Sequence, residues 1–440
     1  MKSLTTFQLV LIAGFIFFAV IGVLVFSGII PGFGGGSENK EVVQLEIWGV
    51  FPRNTMEGII NNFNKEYRET FYLSYIAKPS IAILESDFVS ELASGRGPDL
   101  LFIPPELLWT QNERIHPIPY TTYPERDFLD TFADVGDLYL LNDSTMALPL
   151  AVDPLVMYYN RDLLRSEGIA EPPKNWTKII DTVPTFFSRD ANQNILRTSL
   201  PLGEFGNLDH AKDIFAMLLL QSENPIIQWG ANKRPQVLLA DPRIGGLEST
   251  ALVLNFFSQF SDPAKTSYSW NSAMPSSRNF FSQGSSAFYL GLASEYSLIK
   301  AKNPHLNFDV TLVPQRNEIK KLTYGRLYGV AIPISAKDPN NAFAVARLLA
   351  LDNNFARDLV SALGLAPARL DLLNQPPTND ATAPIFYKAT VMANAWLDPN
   401  PSATLTIFQK ALTAVKTGQA NLRDASARMA TELSALVPLK

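Results

Sequence analysis

Short strand patterns alternate with helical patterns at the start of this chain's polar region. Residues 42–49 and 71–76 combine β-branched side chains with alternating polarity, and residues 99–103 form a short apolar run. Between them, residues 55–67 and 86–94 place apolar side chains at helical spacing. Strands that alternate with helices pack as a mostly parallel sheet covered by helices. The pattern therefore predicts an α/β fold.

A second unit, richer in helix, is predicted after Asp153. Its helical and strand patterns cover residues 175–187, 209–222, 246–260, 324–334, 340–350 and 403–436. At roughly 100–200 residues per domain, a chain of 440 residues predicts two or three domains. Ligands of open α/β sheets bind at the carboxyl ends of strands, and small-molecule sites concentrate between lobes. We therefore expect a binding crevice between the two units.

The N-terminus carries an uncharged apolar run over residues 9–30, preceded by Lys2. About 20 helical residues span a hydrocarbon core of ~30 Å, whereas a signal peptide has ~7–15 apolar residues before a small-residue cleavage site. We therefore expect a transmembrane anchor over residues 1–30, with a cleaved signal peptide as the alternative. Lys2 favours a cytoplasmic N-terminus, so the rest of the chain is expected outside the cell. Residues 31–41 are rich in glycine and predict a flexible linker.

Composition excludes several kinds of site. The chain has no cysteine, which removes disulfides, thiolate metal ligands and the lipidated cysteine that anchors many bacterial binding proteins. Its three histidines are far apart in sequence, so no metal or other cofactor is expected. The formal net charge is -5 and no basic stripe carries interleaved aromatics, so nucleic acid is not an expected partner.

Four stretches carry a resemblance to a known family. They are residues 88–102 (FVSELASGRGPDLLF), 147–164 (ALPLAVDPLVMYYNRDLL), 280–291 (FFSQGSSAFYLG) and 324–333 (YGRLYGVAIP). In this order they resemble the family 1 extracellular solute-binding proteins, whose type II periplasmic-binding fold includes maltose-binding protein. The second stretch is the most specific, because it is similar to the family's crossing strand and the Tyr-Asn-x-Asp helix after it. The resemblance covers nearly the whole chain outside the anchor.

The resemblance implies a two-lobed fold whose lobes are joined by hinge crossings. On this basis we expect lobe 1 to contain residues 42–152 plus 326–375, and lobe 2 to contain residues 153–325 plus 376–440. It also implies an extracytoplasmic domain that binds a solute and delivers it to the permease subunits of an ABC importer. Together with the predicted anchor, we expect a monomeric, single-pass membrane protein. The chain has no P-loop of its own, so it is not expected to hydrolyse ATP. The resemblance implies a binding protein, so no enzymatic activity is expected. Phe288 departs from the family, which has Met at that place.

Candidate ligand-binding residues lie mainly in loops that follow strands. Trp48 ends the first strand and Phe51 follows it, and an aromatic face can stack on a sugar ring, although aromatics are core residues by default. Glu106 follows the strand at 99–103, where it can accept bonds from ligand hydroxyls or from an amine. The alternative for Glu106 is that it opens the next helix, close to the helix's positive end.

Charged residues of the crossing segments are the second group of candidates. Asp153 lies between apolar neighbours, and an unpaired buried charge is costly, so it is expected either to bind ligand or to pair across the lobes. Arg326 is expected to bind an acidic ligand group or to pair with Asp153. Tyr328 lies beside it, and Tyr158 follows Asp153. The remaining candidates lie in the second lobe, and they are Trp229, Trp270, Tyr289 and Gly291.

The sequence thus predicts a membrane-anchored solute-binding protein for a small polar ligand. The aromatic loop residues and the family resemblance favour a carbohydrate as that ligand. A membrane-tethered sensing or adhesion module that is not coupled to a permease is the alternative. An enzyme on the same fold is the third hypothesis, and the sequence offers no convincing catalytic pair for it.

Overall fold

The computed structural model describes residues 42–229, 235–317 and 319–437. The predicted anchor (residues 1–30) and the predicted linker (residues 31–41) lie outside these described residues. Within the described ranges, no helix combines the length and the apolar character needed to cross a bilayer.

The strands are numbered in chain order. They are β1 (Val43–Gly49), β2 (Phe71–Ala77), β3 (Leu100–Ile103), β4 (Ile115–His116), β5 (Ile118–Pro119), β6 (Ser144–Thr145), β7 (Leu148–Asn160), β8 (Ser188–Arg189), β9 (Ile195–Arg197), β10 (Ile227–Trp229), β11 (Pro235–Val237), β12 (Phe288–Leu292), β13 (Phe308–Thr311), β14 (Thr323–Pro333), β15 (Ala366–Pro367) and β16 (Ala393–Asn394).

The α-helices are numbered in the same way. They are α1 (Arg53–Glu66), α2 (Ile81–Ala93), α3 (Leu108–Gln111), α4 (Glu125–Thr131), α5 (Arg161–Ser166), α6 (Trp176–Phe186), α7 (Ala211–Gln221), α8 (Gly246–Ser258), α9 (Ser277–Ser282), α10 (Tyr296–Lys302), α11 (Pro339–Leu351), α12 (Asn353–Leu363), α13 (Leu370–Leu373), α14 (Ala383–Val391), α15 (Pro401–Lys416) and α16 (Leu422–Ser434). Short 3-10 turns lie at Pro105–Leu107, Asn112–Arg114, Asp134–Tyr139, Pro242–Ile244, Gln259–Ser261 and Ala293–Glu295.

The main sheet has the strand order β12-β7-β14-β3-β1-β2. Strand β1 pairs in parallel with β2 and β3, as the alternating strand and helix patterns predict. Strand β14 then pairs antiparallel with β3 and with β7, and β7 pairs antiparallel with β12. The α/β prediction is confirmed, with antiparallel crossing strands in the middle of the sheet.

The long strands β7 and β14 connect two hydrophobic cores. The first core surrounds β1, β2 and β3 and includes Ile47, Leu101 and Val330. The second core surrounds α6, α7, α8, α15 and α16 and includes Phe215 and Phe257. Along β7, Val152 and Val156 belong to the first core whereas Leu155 and Met157 belong to the second. Side chains near residue 153 therefore lie where the two cores meet.

Most predicted elements lie within a few residues of their expected positions, and two differ in an informative way. Helix α2 begins at Ile81, earlier than the predicted residue 86, because the Ser80 side chain caps it by accepting a hydrogen bond from the Ile83 N–H. The predicted C-terminal helical stretch is divided into α15 and α16. The break includes Gly418, whose φ of +69° is a conformation that glycine adopts without steric cost.

The predicted lobe boundaries stay a prediction. The first core also contains Phe281 and Phe308, and it contains Phe386 from α14. These residues come from segments that the predicted boundaries assign to lobe 2. Phe288, which stands where the family has Met, is buried against Phe186 with ring centroids 6.0 Å apart, so it fills space in the second core.

Candidate functional site

The candidate site lies where the crossing strands pass between the two cores. In the antiparallel pair of β7 and β14, Asp153 lies directly opposite Arg326. Helix α7 begins beside them, and the loop after β3 brings Glu106 to the same region, where its carboxylate interacts with the Lys212 ammonium. Trp109, from the same part of lobe 1, packs against the second core. These residues form a polar, partly solvent-exposed region where the two cores meet, and we call this region the crevice.

Arg326 pairs with Asp213 in the first turn of α7. Its Nε and Nη2 atoms donate to Asp213 Oδ2 at 2.9 Å and 2.6 Å. The predicted direct pair between Arg326 and Asp153 is therefore wrong, because the first turn of α7 supplies a closer carboxylate. Burial alone would raise the pKa of Asp213, but the Arg326 and Lys212 cations outweigh burial and hold that pKa below its usual range.

Asp153 is held by the turn that follows β12. Its Oδ1 accepts the Ser294 backbone N–H at 3.0 Å, and its Oδ2 accepts the Ser294 hydroxyl at 2.6 Å. Burial raises the pKa of Asp153 to about 6, against these two hydrogen bonds and the nearby Arg326 charge, which lower it. Asp153 thus connects crossing strand β7 to the turn at Ala293–Glu295. A buried carboxylate is costly without hydrogen-bond donors, and Ser294 supplies them.

His210 bridges Arg326 to Glu295 at the start of α7. Its Nδ1 lies 3.3 Å from Arg326 Nη2, and its Nε2 lies 3.1 Å from Glu295 Oε1. A guanidinium only donates hydrogen bonds, so Nδ1 is the acceptor in the contact with Arg326. Glu295 also accepts from Arg278 Nη1 at 2.6 Å and from the Tyr289 hydroxyl at 2.8 Å.

Lys212 extends this network towards lobe 1. Its Nζ lies 2.5 Å from Asp398 Oδ2 and 4.0 Å from Asp213 Oδ1. Across the crevice, Glu106 is half-buried at the 3-10 turn Pro105–Leu107. Burial raises the pKa of Glu106, and the Lys212 charge opposes that rise. Within the described ranges, the Glu106 carboxylate has its own backbone N–H as its hydrogen-bond partner.

The cations of the network are more exposed than the carboxylates that hold them. The Arg326 side chain is 41% exposed and that of Arg278 is 36% exposed, whereas those of Asp213 and Glu295 are both 4% exposed. The buried acids therefore orient the guanidinium groups, and the guanidinium groups present N–H donors to solvent. Together with the Glu106 carboxylate, the crevice offers both donors and acceptors to a polar molecule.

The aromatic candidates of lobe 1 differ in accessibility. Tyr328 is half-buried, and its ring lies 5.0 Å from that of Phe51, which is buried behind it. Trp48 is also buried. Its indole N–H donates to Glu46 Oε1 at 2.7 Å, and the Lys78 ammonium lies 3.7 Å above its ring centroid. The Trp48 ring face that was expected to stack on a sugar is occupied by this cation–π contact.

Several lobe 2 candidates are enclosed in the cores. Tyr158 and Tyr289 have no exposed surface and stack with ring centroids 5.9 Å apart. Trp270 is likewise enclosed and donates its indole N–H to Asn207 Oδ1 at 2.9 Å. Gly291 lies in β12, where an added Cβ would collide with the Tyr289 ring. In place of the predicted ligand contact, the structure gives these four residues packing roles, because no part of their side chains reaches the crevice surface.

Trp229 is the remaining candidate. It ends strand β10, which pairs with β11. Its side chain lies outside the described part of the structure, so its predicted ligand contact stays a prediction.

Seven titratable residues of the network were missed by sequence reasoning. They are Asp209, His210, Lys212, Asp213, Arg278, Glu295 and Asp398. The available signal was local, since His210, Lys212 and Asp213 lie together at the start of a predicted helix. An acidic side chain such as Asp213 is favoured there by the positive end of the helix. Their partners are distant in sequence, and periodicity carries no information about such pairs. Asp398 lies in a loop, and no sequence pattern indicates that this loop packs beside α7.

Trp396 is a further residue without a sequence signal. It is buried in the second core, stacked near Phe408, and lies two residues before Asp398. Its indole N–H has no hydrogen-bond partner among the described residues. A buried donor that stays unpaired costs about 1–3 kcal/mol.

The structure also contains cavities away from the crossing strands. One of about 320 Å³ lies at the far end of α7, lined by Trp176, Leu252 and Phe256. Its wall residue Gln221 is fully bonded, because it accepts from the Trp176 indole and donates to two backbone carbonyls. The charged network at the other end of α7 is the richer chemical site. No cluster suited to a metal ion is found within the described residues.

Two α/β lobes joined by crossing strands, with a polar crevice between them, define the class of solute-binding proteins. The comparison with protein families agrees, since residues 58–386 match the family described as bacterial extracellular solute-binding protein. The chain belongs to this family. The sequence resemblance to family 1 extracellular solute-binding proteins is thereby confirmed.

Solved structures share the fold. A cyclo/maltodextrin-binding protein complexed with maltotetraose superposes with a TM-score of 0.70 at 16% identity, covering 91% of this chain and 98% of that one. A solute-binding protein of Thermotoga lettingae bound to α-D-tagatose gives 0.66 at 19% identity, covering 90% and 100%. UgpB of Mycobacterium tuberculosis in complex with glycerophosphocholine gives 0.69 at 14% identity, covering 90% and 98%.

Curated relatives are similar over a shorter stretch. Binding proteins of Brucella abortus (strain 2308) and Brucella suis biovar 1 (strain 1330) are each 26% identical over 225 residues, which is 50% of this chain and 50% of each relative. The chain spans about half the length of the curated relatives it matches.

Proposed function

We propose that this protein captures a small polar ligand, a carbohydrate, outside the cytoplasm and delivers it to an ABC-type importer. The observation that carries the proposal is the charged network at the crossing strands, in which buried Asp213 and Glu295 orient the half-exposed Arg326 and Arg278. Such preorganised donors suit a ligand with many oxygen acceptors.

A carbohydrate is the ligand class that the comparisons favour. The structural relatives include proteins bound to maltotetraose and to α-D-tagatose. Glycerophosphocholine, bound by another relative, is also a molecule rich in oxygen acceptors. We propose that Glu106, Arg326 and Tyr328 contact the ligand from the two sides of the crevice, with Phe51 supporting the Tyr328 ring.

The delivery step and the anchor complete the proposal. A transmembrane anchor over residues 1–30 keeps the binding domain at the cell surface, where a monomer delivers its ligand to the permease subunits. No catalytic step is included, since family members are binding proteins. Co-purification with permease subunits tests the coupling. A binding protein that never associates with a permease would instead be the sensing or adhesion module.

A thermal-shift screen of the full-length protein in mild detergent tests ligand binding. Sugars, polyols, amino acids and polyamines are added separately, and the melting temperature is recorded. A ligand at 100 times its dissociation constant adds about 2.7 kcal/mol to the stability of the folded state. We expect a shift with at least one carbohydrate. A screen in which no compound shifts melting would contradict the proposal.

A further inference from the structure

The crevice network contains more acidic groups than cations. Six carboxyl groups face three permanent cations, Lys212, Arg278 and Arg326. The six carboxyl groups belong to Glu106, Asp153, Asp209, Asp213, Glu295 and Asp398. With all carboxyl groups ionised, the network carries an excess of negative charge.

Five of these six carboxylates already have close partners. Asp213 is held by Arg326, Glu295 by Arg278, and Asp398 by Lys212. Asp153 is held by Ser294, and Asp209 accepts the Arg278 backbone N–H at 2.8 Å and the Ser277 hydroxyl at 3.0 Å. These five carboxylates are therefore bound by groups of the protein itself.

Glu106 differs from the other five. Within the described ranges its carboxylate is bonded only by its own backbone N–H, and it is half-buried at the lobe 1 side of the crevice. The cation whose charge acts on it, Lys212, lies 2.5 Å from Asp398 and is therefore already engaged. Asp398 and Asp213 both act on Glu106 with like charge, which raises its pKa beyond the effect of burial.

We infer that the ligand carries a protonated amine on a hydroxyl-rich frame, such as an amino sugar, and that Glu106 is the counter-charge for this amine. The inference rests on the proposed function and names the substrate class of the same crevice. An ammonium group beside Glu106 forms a charge-assisted hydrogen bond and relieves the repulsion from Asp213 and Asp398.

The hydroxyl-rich frame follows from the hydrogen-bond donors of the charged network. The indole N–H of Trp396 is buried, has no partner among the described residues, and lies two residues from Asp398. The half-exposed guanidinium groups of Arg326 and Arg278 are further donors. A bare diamine offers no acceptor to these groups, whereas an amino sugar satisfies them through its ring and hydroxyl oxygens. The buried partners Asp213 and Glu295 neutralise both guanidinium groups, so they do not repel the ammonium.

The test compares matched ligand pairs on the full-length protein by isothermal titration calorimetry at pH 7. Glucosamine, galactosamine, mannosamine and the deacetylated chitosan disaccharide are each paired with the neutral parent sugar that has hydroxyl in place of amine. We expect at least one amine to bind tenfold or more tightly than its neutral parent. Binding of neutral sugars alone, or equal binding within every pair, would overturn the inference and leave the proposed function standing. No binding by any compound would overturn both.

The variant Glu106→Gln assigns the preference to this residue. It removes the charge while keeping the shape, so we expect it to weaken amine binding at least tenfold more than binding of the neutral parent. Glu113→Gln, an exposed carboxylate of the same lobe, is the control and should leave the amine preference unchanged. An amine preference that survives intact in a folded Glu106→Gln protein would contradict the role given to Glu106. If that variant does not fold, the wild-type ligand pairs still decide the ligand class.

Discussion

At the residue scale, the site depends on carboxylates that are buried and guanidinium groups that are not. Asp213 is almost fully enclosed at the first turn of α7, and it fixes the Arg326 guanidinium through two hydrogen bonds to one oxygen. The orientation of Arg326 is thus determined before any ligand arrives, which reduces the entropy that a ligand must overcome.

Replacing Asp213 by Asn should destabilise the protein, because it leaves Arg326 next to an uncharged partner. We expect a loss of about 2–4 kcal/mol in the free energy of unfolding, below the ~3–5 kcal/mol of fully buried pairs because Arg326 retains contact with water. Urea denaturation followed by circular dichroism measures the loss. Arg423→Gln is the control, since its pair with Glu248 is exposed and should be worth no more than about 0.5 kcal/mol. Equal effects of the two variants would contradict a structural role for Asp213.

Asp153 should make stability depend on pH. Its pKa of about 6 in the folded protein lies above the ordinary value of 3.8, so the native state binds the proton more tightly than the unfolded state. The stability supplied by this proton is complete below pH ~4 and is lost as the pH rises through about 6. The groups that face Asp153 are Ser294, Arg326, His210, Tyr158 and Tyr328.

The variant Asp153→Asn removes this titration, and urea denaturation at several pH values measures its effect. The unfolding free energy of the wild type minus that of the variant should fall by about 1–3 kcal/mol between pH 4 and pH 7. Asp213 and Glu295, whose pKa values are lowered, contribute the opposite slope to both proteins and cancel in the difference. A difference that is constant with pH would contradict the raised pKa of Asp153.

Residue chemistry was only partly predictable from the sequence. Asp153, Arg326 and Glu106 are recognisable because each is a charged group at a strand end or in an apolar crossing segment. The partner of Arg326 was not predictable, because Asp213 is 113 residues away and only the folded sheet brings α7 beside β14. The enclosed positions of Tyr158 and Tyr289 were also missed, since an aromatic after a strand has the same sequence pattern in a core and in a cleft.

At the element scale, strand β12 packs Gly291 tightly against its neighbours, at a position where the sequence had predicted a ligand contact. Gly291 lies in this strand opposite Val156 of β7, and a Cβ at its position would lie 2.5 Å from Glu295 Oε2 and would overlap the Tyr289 ring. The absence of a side chain at Gly291 therefore allows the Tyr289 hydroxyl to reach Glu295 and to donate a hydrogen bond to it. This hydrogen bond helps to hold the Glu295 carboxylate that orients Arg278.

Substituting Gly291 by Ala should disturb both packing and the charged network. We expect a loss of about 1–3 kcal/mol in unfolding free energy from the overpacking. Gly206→Ala is the matched control, because a Cβ there meets nothing within 4 Å, and its effect should be within about 0.5 kcal/mol. Thermal denaturation of both variants measures the difference. Similar stability of the two variants would show that β12 tolerates a side chain at this position.

Element positions were well predicted where the hydrophobic period was long and the ends carried capping residues. Helix α6 follows Asn175, whose side chain accepts the Lys178 N–H, and it lies within one residue of its predicted limits. The start of α2 was missed because residues 81–85 are mostly apolar and show no helical period. Short strands such as β15 and β16 have two residues each and leave no periodic signal.

At the scale of the whole molecule, the two-lobed architecture follows from the long crossing strands. Strands β7 and β14 each contribute to both cores, so the lobes are connected through a continuous sheet. The α/β class was predictable from alternation alone. The two-lobed arrangement required the order of the four family stretches, because the pairing of β14 with both β3 and β7 joins segments far apart in the chain.

A structure of the protein with the ligand that gives the largest melting shift tests the account most directly. The account predicts ligand density between the lobes, with Glu106 on one side and Arg326 on the other, both within hydrogen-bond distance of the ligand. Density in the cavity lined by Trp176 and Phe256, with the crossing strands untouched, would contradict it.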